Sequence, residues 1–410
     1  MIENISMFDF STNTRIILEP AVLSPDYIPN RIIGRDDQIN QVVSLMRYLF
    51  QHSKPDNALI FGPPGCGKNV VTKYVLTNLM IKLNRDPIDV NVKWVTISCK
   101  TISTTNAVLY ALIQHLDPNT SVKSSGYSMD FYYNALFQLM NVKNTALIII
   151  LDEIDFLRSD NVLYNFSRAI ANEKLKDGRF ISVIGLSNSI KFEKTLDPRV
   201  LSSMGFKKFS FPSYSADPIL HILEDRIELA FAPDSISKEL LIECSIDAAN
   251  VGGDIRKALN VLKTAAELAT DDGVSQISKT HLKLAEETVQ TEQIIKSVIE
   301  LPRNHKIVLA SIVKLLSRNK TAYTGEVIQM CRALCEYIKI KPLHDTQVSR
   351  SVSVLELQSI IQLGKVNIGK KGGMTREISI STEDVDMIKR GIYEDYDLEI
   401  LRDYDPIVHA

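Results

Sequence analysis

The chain's 410 residues, 45% hydrophobic and 23% charged, exceed one ordinary core and exclude a disordered chain, so two or three domains are expected. The longest uninterrupted apolar run, residues 146–151, falls well short of the roughly 18 residues a membrane span needs, and the N-terminus MIENISMFDF lacks a basic region followed by an apolar one, which points to an untargeted cytoplasmic protein. Net charge is −2, yet residues 303–380 carry 13 Lys and Arg against 5 Asp and Glu, residues 381–410 carry 3 against 9, and the remainder carries 31 against 35. A basic C-terminal module followed by an acidic tail is therefore expected, because local rather than net charge sets the field that DNA meets. Chance clustering on a solvated surface is the alternative. The 5 cysteines form no C-x-x-C pair and the 7 histidines never fall at metal-ligand spacing, so neither a disulfide framework nor a zinc site is encoded.

In chain order, strand-like runs at 58–62, 93–98, 146–152, 180–188 and 207–211 alternate with amphipathic helical stretches. That alternation predicts an α/β unit with a parallel sheet over residues 1–215. From 216 to 300 the strand signal gives way to helical periodicity, predicting a separate all-helical domain. Beyond the junction LPRN, helices near 304–318, 324–338 and 344–362 precede two β-like runs, GKVNIG and TREISIS, joined by KKGGM. Three helices and a hairpin fit a winged helix over 301–395, with 396–410 as the acidic tail. No solenoid repeat or low-complexity tract is present.

The segment GPPGCGKN follows the first strand and opens a helix, the setting in which G-x-x-x-x-G-K cradles phosphate. Its residues Gly62, Pro63, Pro64, Gly65, Cys66, Gly67, Lys68 and Asn69, with Val70, are the candidate nucleotide contacts. Glycines let successive N–H groups turn inward, the helix N-terminus adds partial positive charge, and Lys68 neutralises phosphate. Downstream, four aliphatics run into Asp152 and Glu153 at the C-terminal end of a buried strand, where open α/β sheets bind ligands. One carboxylate can hold Mg²⁺, with Asn69 as the other candidate ligand, while the second orients the attacking water. Asn188 ends the strand FISVIGLSN and either projects toward the phosphates or merely closes a turn. Arg256 lies in the first turn of a helix capped by Asp254, where a cation opposes the helix dipole. An anion in front of it, such as a γ-phosphate, would explain the placement; a solvated arginine is the alternative.

Taken in order, YIPNRIIGRDDQI, GPPGCGKN, ILDEID, LSN, LDPRVLSS, FPSY, ILEDR, GGDIRKAL and the basic C-terminal module resemble the AAA+ replication initiators of archaea, related to the eukaryotic origin-recognition and helicase-loading ATPases. The resemblance spans roughly residues 27–384. It implies an α/β AAA+ ATPase domain, a helical lid and a winged helix, with ATP or ADP and Mg²⁺ as cofactors. It also implies double-stranded origin DNA, the MCM helicase and other initiator paralogues as partners, and a nucleoid-associated location. By that resemblance Asn188 and Arg256 are the two sensors of nucleotide state, and Arg199 is the arginine that approaches a neighbouring subunit's nucleotide; a structural cap or pair within its own chain is the alternative for Arg199. Tyr214 and Arg226 are placed near the bound nucleotide; from local pattern alone they are equally hinge packing and a surface charge. Asn69 departs from the family's Ser or Thr, and Ser213 stands where a second proline is usual. Slow hydrolysis, suited to a switch rather than a motor, is the expectation.

For DNA, the second helix of the helix-turn-helix pair is expected in the major groove, offering Thr346, Gln347, Ser349 and Arg350. The wing offers Lys370, Lys371 and Arg376, although KKGG also suits an ordinary hairpin turn. The segment 122–136 resembles the initiator-specific insertion, with Tyr127 and Met129 as its exposed apolar tip; a plain connecting loop is the alternative. Two rivals stand beside this: a clamp-loader subunit, whose C-terminal domain is a helical collar, and a signalling-switch ATPase acting as a transcription regulator.

Overall fold

A computed structural model describes residues 15–51, 53–318, 321–358, 360–367, 374–382 and 384–404. The chain forms two compact units that divide after Leu282.

In the first unit, among the described residues, the strands are β1 (Ala58–Phe61), β2 (Asn91–Ser98), β3 (Thr145–Asp152), β4 (Ile181–Ser187) and β5 (Lys207–Ser210). They form one sheet in the order β2-β3-β4-β1-β5, with every pairing parallel. Helix α1 (Asp36–Leu45) precedes β1; parallel strands need crossovers, and these are α2 (Lys68–Arg85), α3 (Thr105–Leu116), α4 (Met129–Val142), α5 (Asn161–Arg168) and α6 (Pro198–Met204). Helices on both faces account for the unbroken aliphatic run of β3, whose Ala146–Leu151 are all fully buried. One apolar layer joins β3 to α3, α4 and α5; the other joins β1 to α1 and α2.

The helical part of this unit comprises α7 (Ala216–Ala230), α8 (Lys238–Asn250) and α9 (Ile255–Asp271), followed by the start of α10 (Lys279–Ile299). Its local signals are strong: Ser237 and Asp254 cap α8 and α9 by accepting from backbone N–H groups in the first turn. The N-terminal segment pairs with the end of α7, through Ala232 N–H to Ile16 O at 2.7 Å and Leu18 N–H to Ala230 O at 2.7 Å.

The second unit contains α11 (Arg303–Leu316), β6 (Ala322–Tyr323), α12 (Thr324–Tyr337), α13 (Asp345–Leu357), β7 (Gln362–Asn367) and β8 (Met374–Ser379). It ends in α14 (Val385–Tyr393) and α15 (Tyr396–Glu399). The strands form an antiparallel sheet in the order β6-β8-β7. This winged helix excludes the helical collar of the clamp-loader alternative.

Two sequence expectations change here. The third helix was expected to reach 362 but stops at Leu357, because Ile361 turns into the core and Gln362 already pairs with Ser379. The acidic stretch from 396 is no tail as far as residue 404. Leu398 and Leu401 are fully buried in the core of this unit, and Tyr404 stacks on Tyr337 at 3.6 Å. Two ion pairs, Lys306–Asp395 at 3.0 Å and Arg303–Asp397 at 3.3 Å, tie the segment to α11. The acidic residues thus compensate basic ones in a folded module.

Candidate functional site

At the C-terminal ends of β1 and β3 a cleft of about 550 Å³ is lined by residues 64–70, Asp152, Glu153, Asn188, Tyr214, Arg226 and Arg256. The N-terminal segment supplies Tyr27, Ile32 and Ile33, and the helical part supplies Ile222 and Leu259, so apolar side chains line the cleft together with its charged groups. All of these residues belong to the first unit.

The loop between β1 and α2 is shaped by glycines with left-handed backbone. Gly67, at φ 89°, is the N-cap of α2, and a Cβ there would lie 2.9 Å from the Tyr214 hydroxyl. Gly65, at φ 70°, leaves no space for a Cβ beside the Asp254 carboxylate. Only glycine tolerates both the backbone and the crowding. Lys68 opens α2 and turns back over the loop, donating to Gly62 O at 2.7 Å, Pro63 O at 2.9 Å and Asn188 Oδ1 at 2.9 Å. Burial holds its ammonium below the ordinary lysine range, opposed by Cys66 and Asp152. A phosphate that replaced the two carbonyls would relieve that cost.

Asp152 and Glu153 stand at the end of β3 as the sequence places them. Burial pushes both carboxyls above their ordinary range. Glu153 has φ 51°, a left-handed conformation that costs a non-glycine residue of order 1 kcal/mol and concentrates at functional sites. Asn69 lies beside Asp152, with its Nδ2 donating to Asp152 Oδ2 at 2.7 Å. Its carbonyl Oδ1 is buried without a hydrogen-bond partner among the described residues. An orphaned neutral oxygen next to a carboxylate is a hard-oxygen donor set of the kind Mg²⁺ takes.

Arg256 sits in the first turn of α9. Its backbone N–H donates to Asp254 Oδ1 at 3.0 Å and its guanidinium to both oxygens of that carboxylate. Burial would lower its pKa; Asp254, Asp152 and Glu153 outweigh this and raise it. The misplaced cation is thus held by its own N-cap and faces the two β3 carboxylates. Arg226 is buried rather than a surface charge, with its guanidinium 4.4 Å from the centre of the Tyr27 ring. Its Nη1 has no hydrogen-bond partner among the described residues, although Asp225 Oδ2 stands 3.7 Å away. Arg199 lies apart from the cleft lining: it is exposed on α6 and forms a two-pronged pair with Asp197, whose pKa falls to about 2.

Sequence reasoning missed Arg35. It is buried, donates to Cys66 O at 3.0 Å and Pro212 O at 2.6 Å, and stacks on Tyr214 at 3.7 Å. One side chain therefore ties the phosphate loop to the junction between sheet and helical part. Its signal was an arginine at the start of an otherwise acidic helix turn, Arg35-Asp36-Asp37. The apolar lining of the cleft was missed as well, since Ile32, Ile222 and Leu259 resemble ordinary core residues.

In the second unit, Arg350 is exposed on α13, with no side-chain hydrogen bond or ion pair among the described residues; Ser349 beside it is half-buried. Gln347 is partly committed: its Oε1 accepts from His344 N–H at 3.0 Å and caps α13. Arg376 on β8 donates to Ser353 Oγ on α13 at 2.9 Å. Lys370 and Lys371 lie outside the described residues. At the start of α4, Tyr127 and Met129 are exposed, and Phe131, not anticipated, stacks on Tyr127 at 4.1 Å.

Three family models match consecutive segments: an AAA domain at 51–185, a Cdc6 AAA+ ATPase-type lid domain at 220–287 and a CDC6 C-terminal winged helix domain at 296–390. The ORC1-type DNA replication protein 1 of Methanosarcina acetivorans is 33% identical over 398 residues, covering 96% of this chain and 94% of its own. The ORC1-type DNA replication protein of Pyrococcus abyssi is 33% identical over 374 residues, covering 90% of this chain and 88% of its own. Among solved structures, the Aeropyrum pernix ORC1 protein in complex with DNA superposes with a TM-score of 0.82 at 29% identity, over 94% of this chain and 99% of that one. The Aeropyrum pernix ORC2 protein in its ADPNP–ADP complexes shares the fold, with a TM-score of 0.61 at 19% identity over 92% of this chain and 99% of that one.

Proposed function

For a chain that belongs to the family of ORC1-type DNA replication proteins, we propose a specific role: an ATP-dependent initiator that binds double-stranded origin DNA and helps recruit or load the MCM helicase. The observation that carries this reading is the convergence of Lys68, Asp152, Glu153, Asn188 and Arg256 on one cleft, in a chain that also contains a winged helix with Arg350 exposed on α13, the second helix of its helix-turn-helix pair.

Lys68 and the loop N–H groups bind the phosphates of ATP or ADP, and the apolar side chains of the cleft take the base. Asp152 and Asn69 are the residues that would hold Mg²⁺, which when bound supplies charge that stabilises the terminal phosphate. Glu153 accepts a proton from, and orients, the attacking water; burial makes it a better base than an ordinary surface glutamate. Asn188 and Arg256 face the terminal phosphate and report its presence. Arg199, exposed and outside its own chain's cleft, serves a neighbouring subunit's nucleotide. Asn69 in place of a hydroxyl slows hydrolysis without removing binding, which suits a switch.

On DNA, Arg350 supplies the base contact, with Ser349 and the free amide edge of Gln347 beside it. Arg376, Lys370 and Lys371 contact backbone, and Tyr127 and Met129 form a second contact from the ATPase domain. MCM and other initiator paralogues are the protein partners, and the protein acts on the nucleoid. The test is titration of labelled ATP and of origin DNA into the full-length protein. Lys68→Ala should lose nucleotide and Arg350→Ala should lose preference for origin sequence; retention of both would refute the reading.

A further inference from the structure

Asp155 stands two residues beyond Glu153 and takes no part in the chemistry above. Its oxygens divide between two partners on the neighbouring strand end: Oδ1 accepts from the Ser187 hydroxyl at 2.7 Å, and Oδ2 accepts from the backbone N–H of Asn188 at 3.1 Å. Ser187 is the last residue of β4 and is fully buried. Its hydroxyl has one proton for two acceptors, the Asp155 carboxylate at 2.7 Å and the Ser189 carbonyl at 2.8 Å. The same oxygen accepts from Ser189 N–H at 3.0 Å.

These bonds lie beyond the pairing of β3 with β4, at a point where Ser187 is still paired with Phe61 of β1 on its other side. Pairing of β3 with β4 runs from Leu147 opposite Ile181 to Leu151 opposite Gly185. Beyond that point Asp155 joins the turn after β3 to the end of β4. The next group along is the Asn188 carboxamide, whose Oδ1 accepts from Lys68 Nζ at 2.9 Å. Asn188 is therefore held to Asp155 through its backbone N–H and to the ammonium that meets phosphate through its side chain.

We infer that Asp155 is a positioning residue: by clasping Ser187 and the Asn188 N–H, it fixes the Asn188 carboxamide against Lys68 and thereby sets the preference of the site for a nucleoside triphosphate over a diphosphate. This rests on the nucleotide reading of the cleft. Without the clasp the carboxamide is free to turn, and the site keeps its affinity for the phosphates common to both ligands while losing discrimination for the terminal one.

The experiment measures affinity for ATP and for ADP, with Mg²⁺, in the full-length wild type, Asp155→Ala, Asn188→Ala and the double variant. Asp155→Ala should reduce the ATP-to-ADP affinity ratio by about tenfold, the scale of one positioned hydrogen bond. Asn188→Ala should do the same, and the double variant should lose no more than either alone. An unchanged ratio in Asp155→Ala, or losses that multiply in the double variant, would overturn the inference. If Asp155→Ala fails to fold, Asp155→Asn replaces it: its amide still has one oxygen for Ser187 but presents N–H to N–H at Asn188, so a smaller loss with the same non-additivity is expected, and no loss overturns the inference. A wild type that binds neither nucleotide refutes the reading of the cleft itself, a result distinct from nucleotide binding without an effect of Asp155.

Discussion

Asn69→Thr tests the most unusual feature of the nucleotide loop. Asn69 donates to Asp152 Oδ2 at 2.7 Å while its own Oδ1 is buried without a partner among the described residues. The amide therefore presents its donor edge to the carboxylate, and its acceptor edge must be turned toward a cation before it can serve as a ligand. The contact that must be exchanged is a hydrogen bond to a charged group, worth about 1.5–3 kcal/mol. Threonine offers a hydroxyl oxygen without that exchange, so single-turnover hydrolysis should rise by about tenfold or more, since 1.4 kcal/mol corresponds to one decade of rate. Stability should change little: the variant loses a charge-assisted bond but also removes the orphaned oxygen, whose burial costs about 1–3 kcal/mol. The assay is rapid mixing of protein with limiting labelled ATP, alongside nucleotide affinity for each protein. An unchanged or slower Asn69→Thr rate would refute the reasoning about the metal ligand.

Lys68→Ala should lose nucleotide binding in equilibrium titration, whereas Glu153→Ala should keep binding and lose residual hydrolysis. Burial raises the pKa of Glu153 above its unfolded value, so its ionised form burdens the folded state at neutral pH and the burden disappears as pH falls through the folded pKa. Glu153→Gln should accordingly raise the thermal midpoint of the nucleotide-free protein at pH 7, and the gain should vanish near pH 4; a gain that persisted there would contradict this cause. Arg350→Ala should lower discrimination between specific and random duplexes by about 1–3 kcal/mol, whereas Lys370→Ala and Lys371→Ala should weaken all sequences alike and each reduce the salt slope by about 1. Equal effects of both kinds of variant on both DNAs would reverse the assigned roles.

What could be predicted from local pattern was the architecture. The unbroken aliphatic run of β3 can only be a strand covered on both faces, and Gly65, Gly67 and Lys68 mark a loop that no other residues would fold. What could not be predicted depends on tertiary contact. Leu398 and Leu401 sit among acids, and only docking against α11 shows that their segment folds instead of trailing. Gln347 reads as a free polar residue on a helix until its bond to His344 N–H reveals a cap. Arg35 and Asp155 act through partners more than 30 residues away, at Cys66, Pro212, Ser187 and Asn188, a distance that no periodicity encodes.

Whether the protein acts on origin DNA is decided by footprinting the full-length protein with ATP on its native genomic DNA. Protection of repeated sites at a replication origin, lost in Arg350→Ala, is the predicted result. Protection confined to promoters, with origin repeats left open, would rule out an origin-binding initiator and favour a transcription regulator.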